Sequence, residues 1–243
     1  MPTLQWHIGC SGFHYKEWKE VFYPKGMPQR LWLDYYCQHF NTLELNVTFY
    51  RFPQFSFLQN WYQKTPSHFS FAVKAPRLIT HYKKFHDSIS LLNDFYNTTQ
   101  KGLQEKLACV LFQLPAQMTF TEDLLQKIVA ALSASFINVV EFRHASWWQP
   151  RVYDVLSKHR ICFCSISHPL LPDDVITNTD LVYYRFHGVP DLYYSAYEES
   201  FLEKVTTAIK KAKQVKQAFV YFNNTAQTWA IQNARYVQAL ASK

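Results

Sequence analysis

Eight short runs of β-prone, mostly apolar residues recur along this chain, and stretches of helical character separate them. They cover residues 6–12, 42–46, 70–74, 109–114, 137–143, 161–167, 181–188 and 218–224. Most of the intervals exceed the dozen or so residues that a crossover between parallel strands needs. The tightest, between Ser167 and Leu181, contains Pro169 and Pro172 and has room for a short helix or none. Repeated strand–helix alternation leaves two architectures, an open doubly wound sheet and a closed barrel. The first usually carries a glycine-rich phosphate turn, and Gly9-Cys10-Ser11-Gly12 is not G-x-G-x-x-G. Eight units in 243 residues match the roughly 250 of a parallel β/α (TIM) barrel. No low-complexity tract or Gly/Ser linker divides the chain, so a single domain over residues 1–243 is expected.

Helix signals fill the intervals. Pro28 and Pro53 stand where first helical residues should, before Leu31 and Trp32, and before Phe57 and Leu58. Thr121 is placed to cap a helix whose first turn holds Glu122 and Asp123, acids suited to the positive end of the helix dipole. Ser146 and Pro150 precede Val152, Val155 and Leu156. Leu202, Val205, Ile209, Ala212 and Val215 form one apolar stripe. The lysines at 204, 210, 211, 213 and 216 on that segment read as a solvated outer face, with a nucleic-acid patch as the alternative.

Composition narrows the partners. A net charge of +7 favours anions, although a merely basic surface accounts for it equally well. Aromatic residues reach 18 %, too many for all to fit in a core. The five cysteines are odd in number and form no C-x-x-C, so reduced thiols are expected, with Cys109, Cys162 and Cys164 as core filler. The chain opens without a basic-then-apolar leader. No apolar run reaches the ~18 residues of a membrane span. A cytoplasmic monomer that does not enter the membrane is expected.

Strands of a parallel sheet should be apolar on both faces. Here six of them turn polar at their C-terminal ends: Glu44 and Asn46, Lys74, Gln113, Glu141 with Arg143 and His144, Arg185 and His187, and Asn223 with Asn224. Side chains alternate with period two, which sets Glu44 with Asn46, Glu141 with Arg143 and Arg185 with His187 on single faces. Leu45, Phe142 and Phe186 then face the helices. Barrel active sites are built at those strand ends. An internal salt-bridge network that only closes the barrel is the competing explanation. Lys74, Arg143 and Arg185 outnumber Glu44 and Glu141, and His81, His144 and His187 can add positive charge, so an anionic ligand is expected.

The segments Ile8-Gly9-Cys10-Ser11-Gly12, Glu44 to Tyr50, Phe71 to Pro76, Leu111 to Pro115, Glu141-Phe142-Arg143-His144, Arg185-Phe186-His187-Gly188 and Tyr221-Phe222-Asn223-Asn224 resemble, in order, those of the YecE-like family, domain of unknown function seventy-two. The resemblance implies a barrel and no established activity. It is also imperfect. The family often has Asp after the sixth strand, where this chain reads Ser165-Ile166-Ser167-His168, and after the paired asparagines, where it has Thr225.

The main functional expectation is a metal-independent, cofactor-free hydrolase, lyase or isomerase acting on a phosphorylated sugar or nucleotide-like anion. Glu44 or Glu141 would be the general base and His187 the proton donor or its partner. Lys74, Arg143 and Arg185 would hold the anion, with His81 beside them. Asn46, Gln113 and Asn223 would orient polar groups. Tyr50, Trp147 and Tyr193 would stack on a ring or simply pack. Four alternatives stay open. Glu44, Glu141, His81 and His187 could ligate a metal, though without a recognised spacing. Lys74 could form a Schiff base. The chain could bind nucleic acid or an anionic ligand without catalysis. Finally, Glu44 and Glu141 could be a glycosidase pair.

Overall fold

The computed structural model describes residues 4–243. Its eight strands are β1 (Gln5–Cys10), β2 (Thr42–Leu45), β3 (Ser70–Lys74), β4 (Leu107–Gln113), β5 (Asn138–Glu141), β6 (Ile161–Ser167), β7 (Leu181–Phe186) and β8 (Gln217–Phe222). They form one sheet in the order β1-β8-β7-β6-β5-β4-β3-β2. The pairings β1–β8, β7–β8, β3–β4, β4–β5 and β5–β6 are parallel. A parallel bridge from Ser11 to Glu44 joins the chain just past β1 to β2, the two ends of that order. This is the TIM-barrel type of α/β fold.

The helices are α1 (Trp32–Cys37), α2 (Val47–Tyr50), α3 (Phe55–Lys64), α4 (Ile89–Leu103), α5 (Glu122–Ala131), α6 (Pro150–Lys158), α7 (Glu199–Lys211) and α8 (Trp229–Ala241). No helix intervenes between β6 and β7, where two prolines interrupt a short connection. Thr121 caps α5 by accepting from the Leu124 amide at 3.2 Å, and Pro150 opens α6. Two helices start later than their prolines suggest. Pro28, in extended backbone, caps a 3-10 turn, Gln29–Leu31, ahead of α1. Gln54 rather than Pro53 caps α3. The ring fixes only φ, at a value that extended backbone and helix share, so each proline can stand before the first helical turn as well as in it.

The chain divides into two compact units, one ending at Glu44 and resuming from Ser165 to Lys243, the other Leu45–Cys164. In the first, Gly9 is dictated by close approach: a Cβ there would lie 2.3 Å from the Thr42 carbonyl oxygen. The Tyr36 hydroxyl bridges the same spot, accepting from the Cys10 amide at 2.7 Å and donating to the Thr42 carbonyl at 3.1 Å. In the second, Gly102 lets α4 reach α3, since a Cβ would sit 2.5 Å from that of Leu58. Lys106 is buried there too, and its ammonium donates to the Tyr62 and Thr65 carbonyls at the end of α3. A cation at a helix C-terminus satisfies carbonyls that have no helical donor. All five cysteines are buried and outside any disulfide. Among the described residues, no helix is long and apolar enough to cross a membrane.

Candidate functional site

Each unit gathers polar side chains at the C-terminal ends of its strands. In the first unit the centre is Glu44, which has no exposed surface. Its Oε1 accepts from the Ser11 hydroxyl and from Arg185 Nη2, both at 2.6 Å, and its Oε2 accepts from the Tyr183 hydroxyl at 2.5 Å. Burying a carboxylate costs several kcal/mol, on the order of 3–5 when one partner is missing, and a guanidinium with two hydroxyls offsets that cost. With three donors on it, Glu44 is suited to holding Arg185 in place rather than to collecting a proton.

Arg185 leads on to His187, whose Nε2 lies 3.4 Å from Arg185 Nη1 and whose Nδ1 lies 2.9 Å from the Asn223 amide. A guanidinium only donates, so Nε2 accepts. On its other side Nδ1 faces the Asn223 amide nitrogen, which extends the row Glu44–Arg185–His187–Asn223. The His187 ring meets those of His168 and Tyr193 edge-on, at 6.2 and 6.4 Å. Past β7 the loop is tight: Gly188 has φ of 94°, and a Cβ there would lie 2.7 Å from the Asp191 carbonyl oxygen. On the His168 side, a cavity of about 730 Å³ is lined by Leu171, Asp173, Tyr197, Glu198 and Phe201, a ligand-sized volume.

In the second unit, Lys74, Gln113 and Glu141 end the neighbouring strands β3, β4 and β5, with Gln113 and Glu141 in register. The Lys74 ammonium donates to Gln113 Oε1 at 2.6 Å and lies 4.0 Å from the centre of the Phe49 ring. Thr48 ties this corner down by donating to the Lys74 carbonyl at 2.6 Å. Glu141, fully buried, accepts from Arg143 Nε, and the Cys164 thiol approaches its other oxygen at 3.9 Å. His81 sits on a single π-helical turn, Leu78–Tyr82, with Nδ1 2.8 Å from the Thr80 hydroxyl and its ring edge-on to Phe49 at 5.0 Å. Burial, then the positive charges of Lys74, Arg143 and Arg77, lower its pKa to about 4. Asn46 Oδ1 is buried with no hydrogen-bond partner.

Three expected residues lie elsewhere or do other work. His144 caps a 3-10 turn, Ala145–Trp147, by accepting from the Ser146 amide at Nδ1. Trp147 is wholly buried, stacked on Phe142 at 4.1 Å and donating to the Met118 carbonyl, so it belongs to the core and cannot stack on a ligand. Tyr50 is 66 % exposed and lies against Arg77. Four contributors have no place in the sequence-based expectation: Ser11, Tyr183, Phe49 and Arg77. Tyr183 had a signal, standing two residues before Arg185 and so on the same strand face. Ser11 and Phe49 had none beyond their place in the family-like segments. Among the described residues, no group of three or more His, Cys, Asp or Glu side chains could hold a metal ion.

The family described as "Protein of unknown function DUF72" matches residues 7–243. The chain belongs to this family. Its curated relatives include the UPF0759 protein YunF of Bacillus subtilis, 24 % identical, with 96 % of this chain and 94 % of YunF aligned. The UPF0759 protein YecE of Escherichia coli K12 is 29 % identical over 117 residues, which are 48 % of this chain and 43 % of YecE. Among solved structures, a DUF72 family protein of Thermotoga maritima superposes with a TM-score of 0.89 at 29 % identity, covering 98 % of this chain and all of that one. A second, from Enterococcus faecalis, reaches 0.82 at 19 % identity over the full length of both chains, which supports the fold alone.

Proposed function

We propose that this chain is an enzyme that binds a small phosphorylated or carboxylated anion at its strand ends and carries out metal-independent acid–base chemistry on it, as a hydrolase, lyase or isomerase. The observation that carries this reading is the crowding of cations around His81. Burial together with Lys74, Arg143 and Arg77 keeps that imidazole neutral down to about pH 4. Such a cluster is relieved by an anion, which forms charge-assisted hydrogen bonds with Lys74 and Arg143.

The proton-handling groups are Glu141 and His81. Glu141 is held by Arg143 and acts as the general base. His81 becomes basic once the bound anion cancels the surrounding charge. In the other unit, Glu44 holds Arg185, and His187 and Asn223 continue that hydrogen-bonded row, a separate set of donors for an anion. Gln113 orients Lys74. For Lys74, gripping is favoured over Schiff-base chemistry, because a carbonyl acceptor and an aromatic face both stabilise the charged ammonium. Glu141→Gln beside the wild type, assayed over a panel of phosphorylated sugars and nucleotides, tests the assignment. A base of this kind contributes about 100-fold or more to turnover, and equal rates in the two proteins remove Glu141 from the role.

A further inference from the structure

Residues 45–86 contain six lysines and arginines and no Asp or Glu, so this stretch alone supplies +6 of the chain's net +7. Five aromatic side chains of this stretch also reach solvent. Tyr50 and Tyr82 are 66 % and 64 % exposed, and Phe52, Phe55 and Phe57 between 39 % and 59 %. The two tyrosines are organised around one cation: the Arg77 guanidinium lies 5.7 Å from the Tyr50 ring centre and 5.4 Å from that of Tyr82. Both distances fall within cation–π range, about 6 Å, so Arg77 steadies two rings whose remaining surface faces water. Nearby, α2 and α3 enclose an apolar cavity of about 270 Å³ walled by Val47, Phe52, Pro53, Phe57 and Trp61, with Arg51 among its lining residues.

We propose that this face binds single-stranded nucleic acid, its bases stacking on Tyr50 and Tyr82 and one entering the apolar cavity, while Arg51, Lys83 and Lys84 meet the phosphates. Exposed rings set among cations, in a stretch of chain that holds no Asp or Glu although Asp94 lies beside Phe52 and Phe55, match a ligand that alternates flat π-faces with negative charge. An anionic membrane shares the charge but not the shape: bilayer insertion uses a protruding apolar edge, whereas this face offers stacking rings beside a concavity. The surface borders the Lys74–His81 group, yet its occupancy does not require turnover there, so it stands or falls independently of the proposed enzyme.

The test is fluorescence anisotropy of a labelled 12-residue oligothymidylate and oligouridylate with the full chain, with polyphosphate and phosphatidylglycerol vesicles as competitors. Stacking on one aromatic ring corresponds to about fivefold or more in affinity. Tyr50→Ala and Tyr82→Ala are therefore each expected to weaken binding at least that much, with unchanged unfolding temperature because both side chains are exposed. Arg51→Gln is expected to lower the slope of log affinity against log salt by about 0.7, the share of one phosphate contact. Three results overturn the proposal: no oligonucleotide binding at low salt, binding that both tyrosine variants retain in full, or vesicles or polyphosphate bound more tightly than oligonucleotide with the same tyrosine dependence.

Discussion

Replacing Glu44 with Gln keeps the side chain's shape and removes its charge. The structure sets what that should cost. Arg185 and Glu44 meet at 2.6 Å with side chains 1 % and 0 % exposed, so the guanidinium left behind has no water to turn to. Removing one partner of a buried pair costs on the order of 3–5 kcal/mol. For a chain of this size, each kcal/mol moves the midpoint by about 2–4 °C, giving an expected loss of roughly 10 °C in thermal unfolding. A surface pair of nearly the same length supplies the control. Arg151 and Glu122 meet at 2.7 Å, but their side chains are 55 % and 45 % exposed. Arg151→Gln should therefore cost less than about 1 kcal/mol. Combining Glu44→Gln with Arg185→Met should be less damaging than the sum of the two, because the stranded charge goes with its partner. Urea titrations of the four proteins and the wild type give the comparison. Equal costs for the buried and exposed variants would refute the claim that Glu44 is held as a buried anion.

Other consequences are open to measurement. His7 is stacked on Phe219 at 4.2 Å, and burial lowers its pKa from 6.5 to about 4. Its neutral form belongs to the folded state, so stability is complete above pH 6.5 and falls as pH drops toward 4, by up to about 3 kcal/mol. His7→Phe should flatten that part of a pH–stability curve obtained from urea midpoints. His81 should take up a proton when an anion binds, because the bound charge raises its lowered pKa. Affinity for inorganic phosphate should accordingly rise as pH falls from 6.5 to 4. Calorimetry in buffers of different ionisation enthalpy should show the uptake, and His81→Asn should abolish it. Gly102→Ala pits helix propensity, worth about 1 kcal/mol in favour of alanine, against a Cβ placed 2.5 Å from that of Leu58. Overpacking costs about 1–3 kcal/mol, so chemical denaturation should show the variant destabilised.

The fold was largely legible because strand–helix alternation is a local pattern. Ser70–Lys74 and Ile161–Ser167 fall where their residues put them, and the Thr121 cap follows from three consecutive side chains. Strand ends were less sharp. β5 stops at Glu141 although apolar Phe142 follows, since that ring leaves the strand to stack on Trp147. Polar strand ends marked the region of the site, but not the division of labour within it. That depends on partners distant in the chain: Ser11 and Tyr183, 33 and 139 residues from Glu44, decide that its oxygens are occupied. His144 and Trp147 stayed open to two readings for a related reason. Their chemistry suits a ligand site, but the 3-10 turn after β5 spends one on a cap and the other on the core. The π-helical turn that brings His81 beside Phe49 has no signature in composition or period.

A crystal structure of the protein grown with inorganic phosphate tests the central claim most directly. The account predicts an anion within hydrogen-bonding distance of both the Lys74 ammonium and the Arg143 guanidinium, and its loss in Lys74→Met crystals grown alike. Strand ends free of phosphate at concentrations that fill other surface sites, or an anion bound there without touching Lys74 and Arg143, would contradict it.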